Sequence, residues 1–316
     1  MQYNQASTLP QLEHKKKRGG GLTKKTKDNI FVICMLALPI IQFLIFYVYL
    51  NFDSILMAFR LPQDGGGYEW TLINFKQLFT DFTVEGSEIG EALVNTLIFF
   101  AASVLVTFPL SYLMCYFLYK KIPGYKIFRV IFFLPSIISA SVLAVLFRYI
   151  VSINGPVAEF VGLFGTEWKP VLQTPDGVAL WTIVVYVVIF GLGGNLILFS
   201  GAMNNVDKGV IEAAEIDGAG MWTELIRIIV PMTWPTISTV LTLCFVGLFN
   251  ATGPILVLTH GLYNTNTIAY WIYSKVAFSN ELYYPAAVGL FFTVIGAPIA
   301  LFMRWLLAKR VDDIVM

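Results

Sequence analysis

Apolar residues in this chain do not alternate with polar ones at the spacing of a soluble helix or strand; they run on without interruption. Six stretches, at roughly 30–50, 92–119, 128–150, 178–203, 232–258 and 284–307, stay apolar for about 20 residues or more. At about 1.5 Å rise per residue, each matches the hydrocarbon core of a bilayer, which is about 30 Å thick. The pattern predicts an all-α polytopic membrane protein with six transmembrane helices. The first stretch does not read as a cleaved signal peptide. Its basic lead is long, its apolar run exceeds the usual length, and no small-x-small cleavage site follows.

The polar connections divide the chain further. Residues 1–28 are basic and Gly-rich and read as a disordered cytoplasmic tail, with the six-helix domain over 29–310 and a C-terminal tail over 311–316. The connection 51–91 carries DGGG and the amphipathic YEWTLINFKQLF, which is expected on the membrane face or over the outer entrance. KKIPGYK is short and basic. The 151–177 connection carries NGP, VAEFVGLFG and TPDG, the pattern of a short interfacial helix between turns. The last, 259–283, holds THGLYNTNT and then YWIYSKVAF.

Composition agrees with this reading, at 57% hydrophobic and 13% charged residues with a mean hydropathy of +0.72. Charge adds an orientation. With the N-terminus inside, the cytoplasmic side receives Lys15, Lys16, Lys17, Arg18, Lys24, Lys25 and Lys27 from the tail. It also receives Lys120, Lys121, Lys126 and Arg129, then Lys208 and Arg227, then Arg304, Lys309 and Arg310; the outer side holds Arg60, Lys76, Arg148, Lys169 and Lys275. The positive-inside rule therefore predicts both termini in the cytoplasm. The KKKR run reads as a flexible anchor at the membrane surface, with nucleic acid or anionic lipid as the alternative ligand.

The middles of the spans are nearly free of ionisable side chains, which suits a path for a neutral solute better than a proton relay or ion pathway. Proline interrupts them at Pro39, Pro109, Pro135, Pro235, Pro254 and Pro298, and GLGGN interrupts the fourth at 191–195. Such breaks either line a cavity or allow close helix packing. Cys34, Cys115 and Cys244 lie inside spans without metal-ligand spacing. An intramembrane metalloprotease would need HExxH, and the two histidines, His14 and His260, fall in the tail and in a loop. No base accompanies a span serine, so an intramembrane enzyme is not expected.

One connection differs from the rest. Between Ile211 and Pro231 the chain reads IEAAEIDGAGMWTELIRIIVP, with Glu212, Glu215, Asp217 and Glu224 in a short segment on the cytoplasmic side. Asp207 is placed to cap a helix whose apolar face is Val210, Ile211, Ala214 and Ala213, with Glu212, Glu215 and Asp217 elsewhere. Gly218-Ala219-Gly220 breaks that helix. A second helix is expected to bury Leu225, Ile228 and Ile229, to expose Glu224 and Arg227, and to end before Pro231. The result is a helix–turn–helix across the cytoplasmic mouth, suited to docking in a groove on a soluble partner.

Glu212-Ala213-Ala214, Gly218, Ile228 and Pro231 reproduce the signature EAA-x3-G-x9-I-x-L-P, with Val230 for leucine. In this the chain resembles the permease subunits of binding-protein-dependent ABC importers. The fuller EAAxIDGA-xxW form, Glu212 to Ala219 and Trp222, resembles the carbohydrate-uptake, maltose-permease-like branch. The likeness extends over about 28–310 and includes ALVNTLIF, FLPSIISASVLAVLFRYI, the NGP…VGLFG loop and the stretch from Leu258 to Phe278.

The resemblance implies a type I ABC importer permease architecture in the cytoplasmic membrane of a bacterium. It makes the 204–231 loop a coupling helix for an ATP-binding subunit, with Glu212, Ala213, Ala214, Asp217, Gly218, Ala219 and Trp222 in the contact. The partners it implies are two ATP-binding cassette subunits, a solute-binding protein on the outer loops, and a second, similar permease in a heterodimer. Within that pair this chain is similar to the larger maltose subunit. ATP and Mg belong to the partner ATPase; the chain has no Gly-Lys dipeptide and so no GxxxxGK[ST] phosphate loop.

By the same resemblance, the solute contacts fall in the spans flanking the loop. Those spans offer Tyr186, Phe190, Gly191, Gly194 and Asn195, then Phe249, Asn250 and Thr252; each asparagine can instead bond a neighbouring helix. The chain departs from the maltose pattern at Val187 and Leu248, where polar groups occur, and at Thr259-His260-Gly261-Leu262-Tyr263 in place of T-x-GGP, so no particular sugar is carried over. His260 reads as a solvated loop residue, with pH sensing or contact with a binding protein as alternatives. Another solute, such as a polyol, a glycerol phosphate ester or an amino acid derivative, would use the same importer class. A membrane scaffold or sensor would use the loop to dock a partner without moving solute.

Overall fold

A computed structural model describes residues 24–63, 66–175, 177–250 and 253–315; the tail before Lys24 and Thr252 lie outside the described residues. The chain divides after Asp53 into two units. The first is a single helical arm that continues to the end of α1 (Lys24–Ala58), with a π-helical turn at Leu44–Tyr49. Its apolar side chains, among them Ile33, Leu38, Phe46 and Tyr47, are exposed.

The second unit opens with a two-stranded antiparallel ribbon, β1 (Arg60–Pro62) and β2 (Tyr68–Trp70), paired with Leu61 opposite Glu69. The ribbon is a small departure from the all-α expectation, and it takes YEW out of the amphipathic stretch. The guanidinium of Arg60 lies 5.4 Å from the Tyr68 ring and 5.1 Å from the Trp70 ring, a cation–π pairing that favours the extended strand. α2 (Ile73–Thr83) follows and buries Asn74 and Leu78.

α3 (Glu88–Tyr119) is capped by Ser87, whose hydroxyl accepts the Gly90 amide at 3.1 Å, with Glu88 and Glu91 in the positive first turn. A π-helical turn at Ser103–Thr107 precedes Pro109 and lets the proline ring pass the turn before it. α4 (Tyr125–Ile137) and α5 (Ala140–Ile150) are bent by 110°. Ile138 and Ser139, in extended conformation, separate them. The expected third span at 128–150 is therefore two half-length helices. After the short α6 (Pro156–Gly162) comes α7 (Val178–Asn204), apolar on every side and packed between α3 and α4.

α8 (Lys208–Ile216) and α9 (Met221–Met232) form the hairpin, and α10 (Trp234–Val246) departs from α9 at 75°. The expected fifth span at 232–258 is also broken. It stops at Val246, with Gly247 as its C-cap, and helix resumes as α11 (Gly253–Leu258) with Pro254 in its first turn, where a missing amide hydrogen costs nothing. α12 (Ile268–Phe278) and α13 (Tyr283–Val315) complete the chain, with α13 against α10.

Among the described residues, four helices are long and apolar enough to cross a membrane, and counting each bent pair as one span brings the number to as many as six. At the end opposite the hairpin, the Asn95 amide donates to the carbonyls of Asn264 and Asn266, both at 2.8 Å, and the Thr96 hydroxyl accepts the Ile268 amide at 3.1 Å. A loop whose backbone groups are consumed this way is held to α3.

Candidate functional site

The hairpin is built from local rules. Asp207 caps α8, accepting the Gly209 amide on Oδ1 at 2.8 Å. At the other end, Ala219 N–H donates to Ala214 O at 2.9 Å and Gly218 N–H to Glu215 O at 3.1 Å, with Gly218 at φ +79°. This is a Schellman stop, and the left-handed residue it needs is the glycine of the motif. Gly220 then starts α9, accepting the Glu224 amide at 3.0 Å.

Ile211, Leu225 and Ile229 bury against Tyr112, Cys115 and Tyr116 of α3 and Phe199 of α7. Two expectations fail here. Glu224 is 2% exposed, not projecting. The second helix also does not end before Pro231; it runs through Met232, because a π-helical turn at Leu225–Ile229 widens the backbone ahead of the ring.

Glu224 is buried because it has a partner. The Lys120 ammonium stands 2.9 Å from Glu224 Oε2 and 2.9 Å from Glu215 Oε1. Burial by itself would lower the Lys120 pKa; the hydrogen bonds and charges of the two carboxylates outweigh it and raise the pKa above the usual lysine value. The other oxygen of Glu224, Oε1, has no partner among the described residues.

What remains outside is the docking face. Glu212, Ala213, Asp217, Gly218 and Trp222 are exposed, and Ala214 and Ala219 half-buried. Ile216 is 86% exposed, an isoleucine standing off the tip of α8. The sequence reading missed it, although the spacing contains the signal: Ile216 is five residues from buried Ile211 and thus on the opposite side of the helix. Lys120 was counted only for topology, and its link to the hairpin spans 95 positions in sequence.

The expected solute residues separate into groups. Tyr186 is buried, its ring 5.1 Å from Phe147 and 4.8 Å from Phe190, and its hydroxyl donates to Ala140 O at 3.3 Å where α5 begins. Gly191 faces Thr107, and Gly194 has open space around it. Asn195 is half-buried, with no hydrogen-bond partner among the described residues. Phe249 packs against Phe292, the ring centroids 4.9 Å apart and the planes tilted by 46°, beside Gly296.

Asn250 is exposed at the break between α10 and α11 and lines two cavities, of about 620 and 340 Å³. The smaller brings Val187 and Leu248 together with Asn250, Phe99, Phe100 and Ser103. Neither cavity includes Asn195 or Tyr186 in its lining. His260, with φ +54°, shares a separate cavity of about 220 Å³ with Arg148, Gln173 and Tyr263.

The chain is similar to known proteins. An arabinooligosaccharides transport system permease protein of Bacillus subtilis is 25% identical over 265 residues, covering 81% of this chain and 82% of its own. A multiple sugar-binding transport system permease protein of Streptococcus mutans is 26% identical over 280 residues, covering 86% and 94%. Among solved structures, a chain of a bacterial ABC transporter involved in the import of the acidic polysaccharide alginate superposes with a TM-score of 0.77 at 24% identity, over 90% of this chain and 98% of that one. Residues 107–312 match the family described as binding-protein-dependent transport system inner membrane component, a segment that holds the hairpin, both broken helices and Asn250. The chain belongs to that family.

Proposed function

We propose that this chain is the membrane-spanning subunit of an ATP-driven importer that moves a sugar or oligosaccharide handed to it by an extracytoplasmic binding protein. It crosses the cytoplasmic membrane six times, with both termini and the hairpin inside. The observation that carries the reading is the hairpin: buried on one face and clamped at Lys120, it offers Ile216, Trp222, Glu212 and Asp217 on the other. A rigid, partly apolar projection with an acidic collar suits a cleft on an ATP-binding subunit, which supplies the ATP and Mg chemistry. Two such subunits and a second, similar permease complete the assembly.

The relatives' names support a carbohydrate, and so does the lining around Asn250. Aromatic and aliphatic walls with few polar groups suit a neutral polyhydroxy solute. A phosphate ester would call for Lys or Arg there, and the two linings contain neither. Asn250 is assigned to the centre of the solute path, with Phe249 on one side and Val187 on the other. The bends of 110° and 75° divide the helices into short rigid rods, the form that alternating access by rocking requires.

The test is reconstitution of the tagged chain, with whatever co-purifies, into proteoliposomes supplied with the operon's binding protein and labelled arabinotriose or maltotriose. ATP-dependent accumulation of either, abolished by Gly218→Pro or Glu212→Lys in protein that still inserts, supports the proposal. Normal accumulation in both variants, or a chain that purifies with no ATP-binding subunit, contradicts it.

A further inference from the structure

Two side chains of α3, and that of Lys120 at its C-terminal cap, reach the hairpin in register. Tyr112 meets the Thr233 hydroxyl at 2.7 Å, Tyr116 donates to the Met221 carbonyl at 3.1 Å, and Lys120 holds Glu215 and Glu224 at 2.9 Å each. Positions 112 and 116 lie one turn apart on one face of α3, and Lys120, the C-cap residue with helical backbone angles, continues the stripe one position past the end of the helix. The stripe touches the hairpin at the end of α8, at the start of α9, within α9 and at the α9–α10 break. All but the exposed Lys120–Glu215 pair consume polar groups in buried places: Tyr112 is 7% exposed, Tyr116 0%, Thr233 2% and Glu224 2%.

The hairpin's covalent neighbours hold it differently. It leaves α7 through the turn at Asn205 and Val206 and joins α10 through the 75° bend at Thr233, where Pro235 removes an amide donor. Thrust on the hairpin therefore has a stiff route into α3, a helix far from it in sequence, and a bent route into α10.

We infer that Tyr112, Tyr116 and Lys120 are positioning residues that make α3 and the hairpin one rigid body, with Lys120 its key member, so that movement of the hairpin is delivered first to α3. This rests on the function proposed above. Rigid units whose interfaces hold during the transition are the elements of a rocking mechanism, and the stripe defines which helix belongs to which unit.

The experiment uses the complete importer in nanodiscs, with native cysteines replaced by serine and spin labels at exposed positions. One pair reports the distance from 105 on α3 to 216 on the hairpin; a second, from 105 to 145 on α5, reports motion across the transporter. Expected is a 105–216 distance unchanged by ATP with vanadate while the 105–145 distance shifts, in the wild type and in Lys120→Arg. In Lys120→Met the 105–216 distance should become nucleotide-dependent.

Should that variant not assemble because Glu224 is left as an uncompensated buried charge, the double variant Lys120→Met with Glu224→Gln removes the charge and is expected to show the same loss of rigidity. A double variant whose 105–216 distance stays fixed overturns the inference, as does a wild type in which that distance shifts. A wild type in which nucleotide moves neither pair overturns the proposed function instead.

Discussion

The hydroxyls of Tyr112 and Thr233 stand 2.7 Å apart inside the protein, and the Thr233 hydroxyl donates to Ile229 O at 2.7 Å. A kink in one helix is thus tied to the middle of another by a chain of two hydrogen bonds with no access to water. Tyr112→Phe removes one link and leaves the threonine satisfied by its backbone bond. The expected cost is about 0.6–1.7 kcal/mol, the range measured for hydrogen bonds between membrane helices. Thermal unfolding in detergent should show a small drop for Tyr112→Phe.

Gly193 and Gly194 are adjacent but not equivalent. A Cβ at Gly193 would stand 2.7 Å from the Phe132 carbonyl oxygen and 3.3 Å from Ser136 Cβ, whereas one at Gly194 would meet nothing within 4 Å. Gly193→Ala must push α4 away from α7 at its kinked end, at a cost of about 1–3 kcal/mol. Gly194→Ala is expected to be neutral or slightly stabilising. The pair is compared by melting temperature in the same detergent.

The turn of the hairpin makes a parallel distinction. Gly218 has φ +79° and Gly220 an ordinary backbone, with open space around both. Gly218→Ala strains the Schellman stop by about 1 kcal/mol, enough to tilt α8 and lower uptake. Gly220→Ala is expected to transport as well as the wild type. Equal activity in the two variants would show that the turn's shape is unimportant to transport.

Filling the cavity beside Asn250 tests the solute path. Val187→Trp introduces a large side chain into a space of about 340 Å³, and is expected to reduce uptake about tenfold or more with unchanged protein in the membrane. Ile197→Trp, at an exposed position on the same helix, serves as the control and should transport normally.

Much of this was legible in the chain. Long apolar runs dictate membrane helices because unpaired backbone groups in lipid are so costly. Asp207 and Gly218 announced both ends of α8 through local hydrogen bonding alone. What escaped the sequence was non-local. Glu224 looks like a surface carboxylate until Lys120, remote in sequence, is brought to 2.9 Å.

The breaks within the third and fifth spans escaped for another reason. A hydropathy run records apolar composition, and it continues unchanged through Ile138 and Ser139 and past Gly247, where the helices end. Asn195 and Asn250 looked alike as amides in spans. Only Asn250 opens onto cavities, because the backbone around it is not helical.

The most direct measurement is a photo-cross-link from position 216. With a benzophenone side chain replacing Ile216 in inverted membrane vesicles, irradiation should join this chain to an ATP-binding subunit, at a yield that changes when ATP and vanadate are added. Cross-links to lipid alone, or labelling of the residue only from the outer face of the membrane, would contradict the assignment of the hairpin as the coupling element.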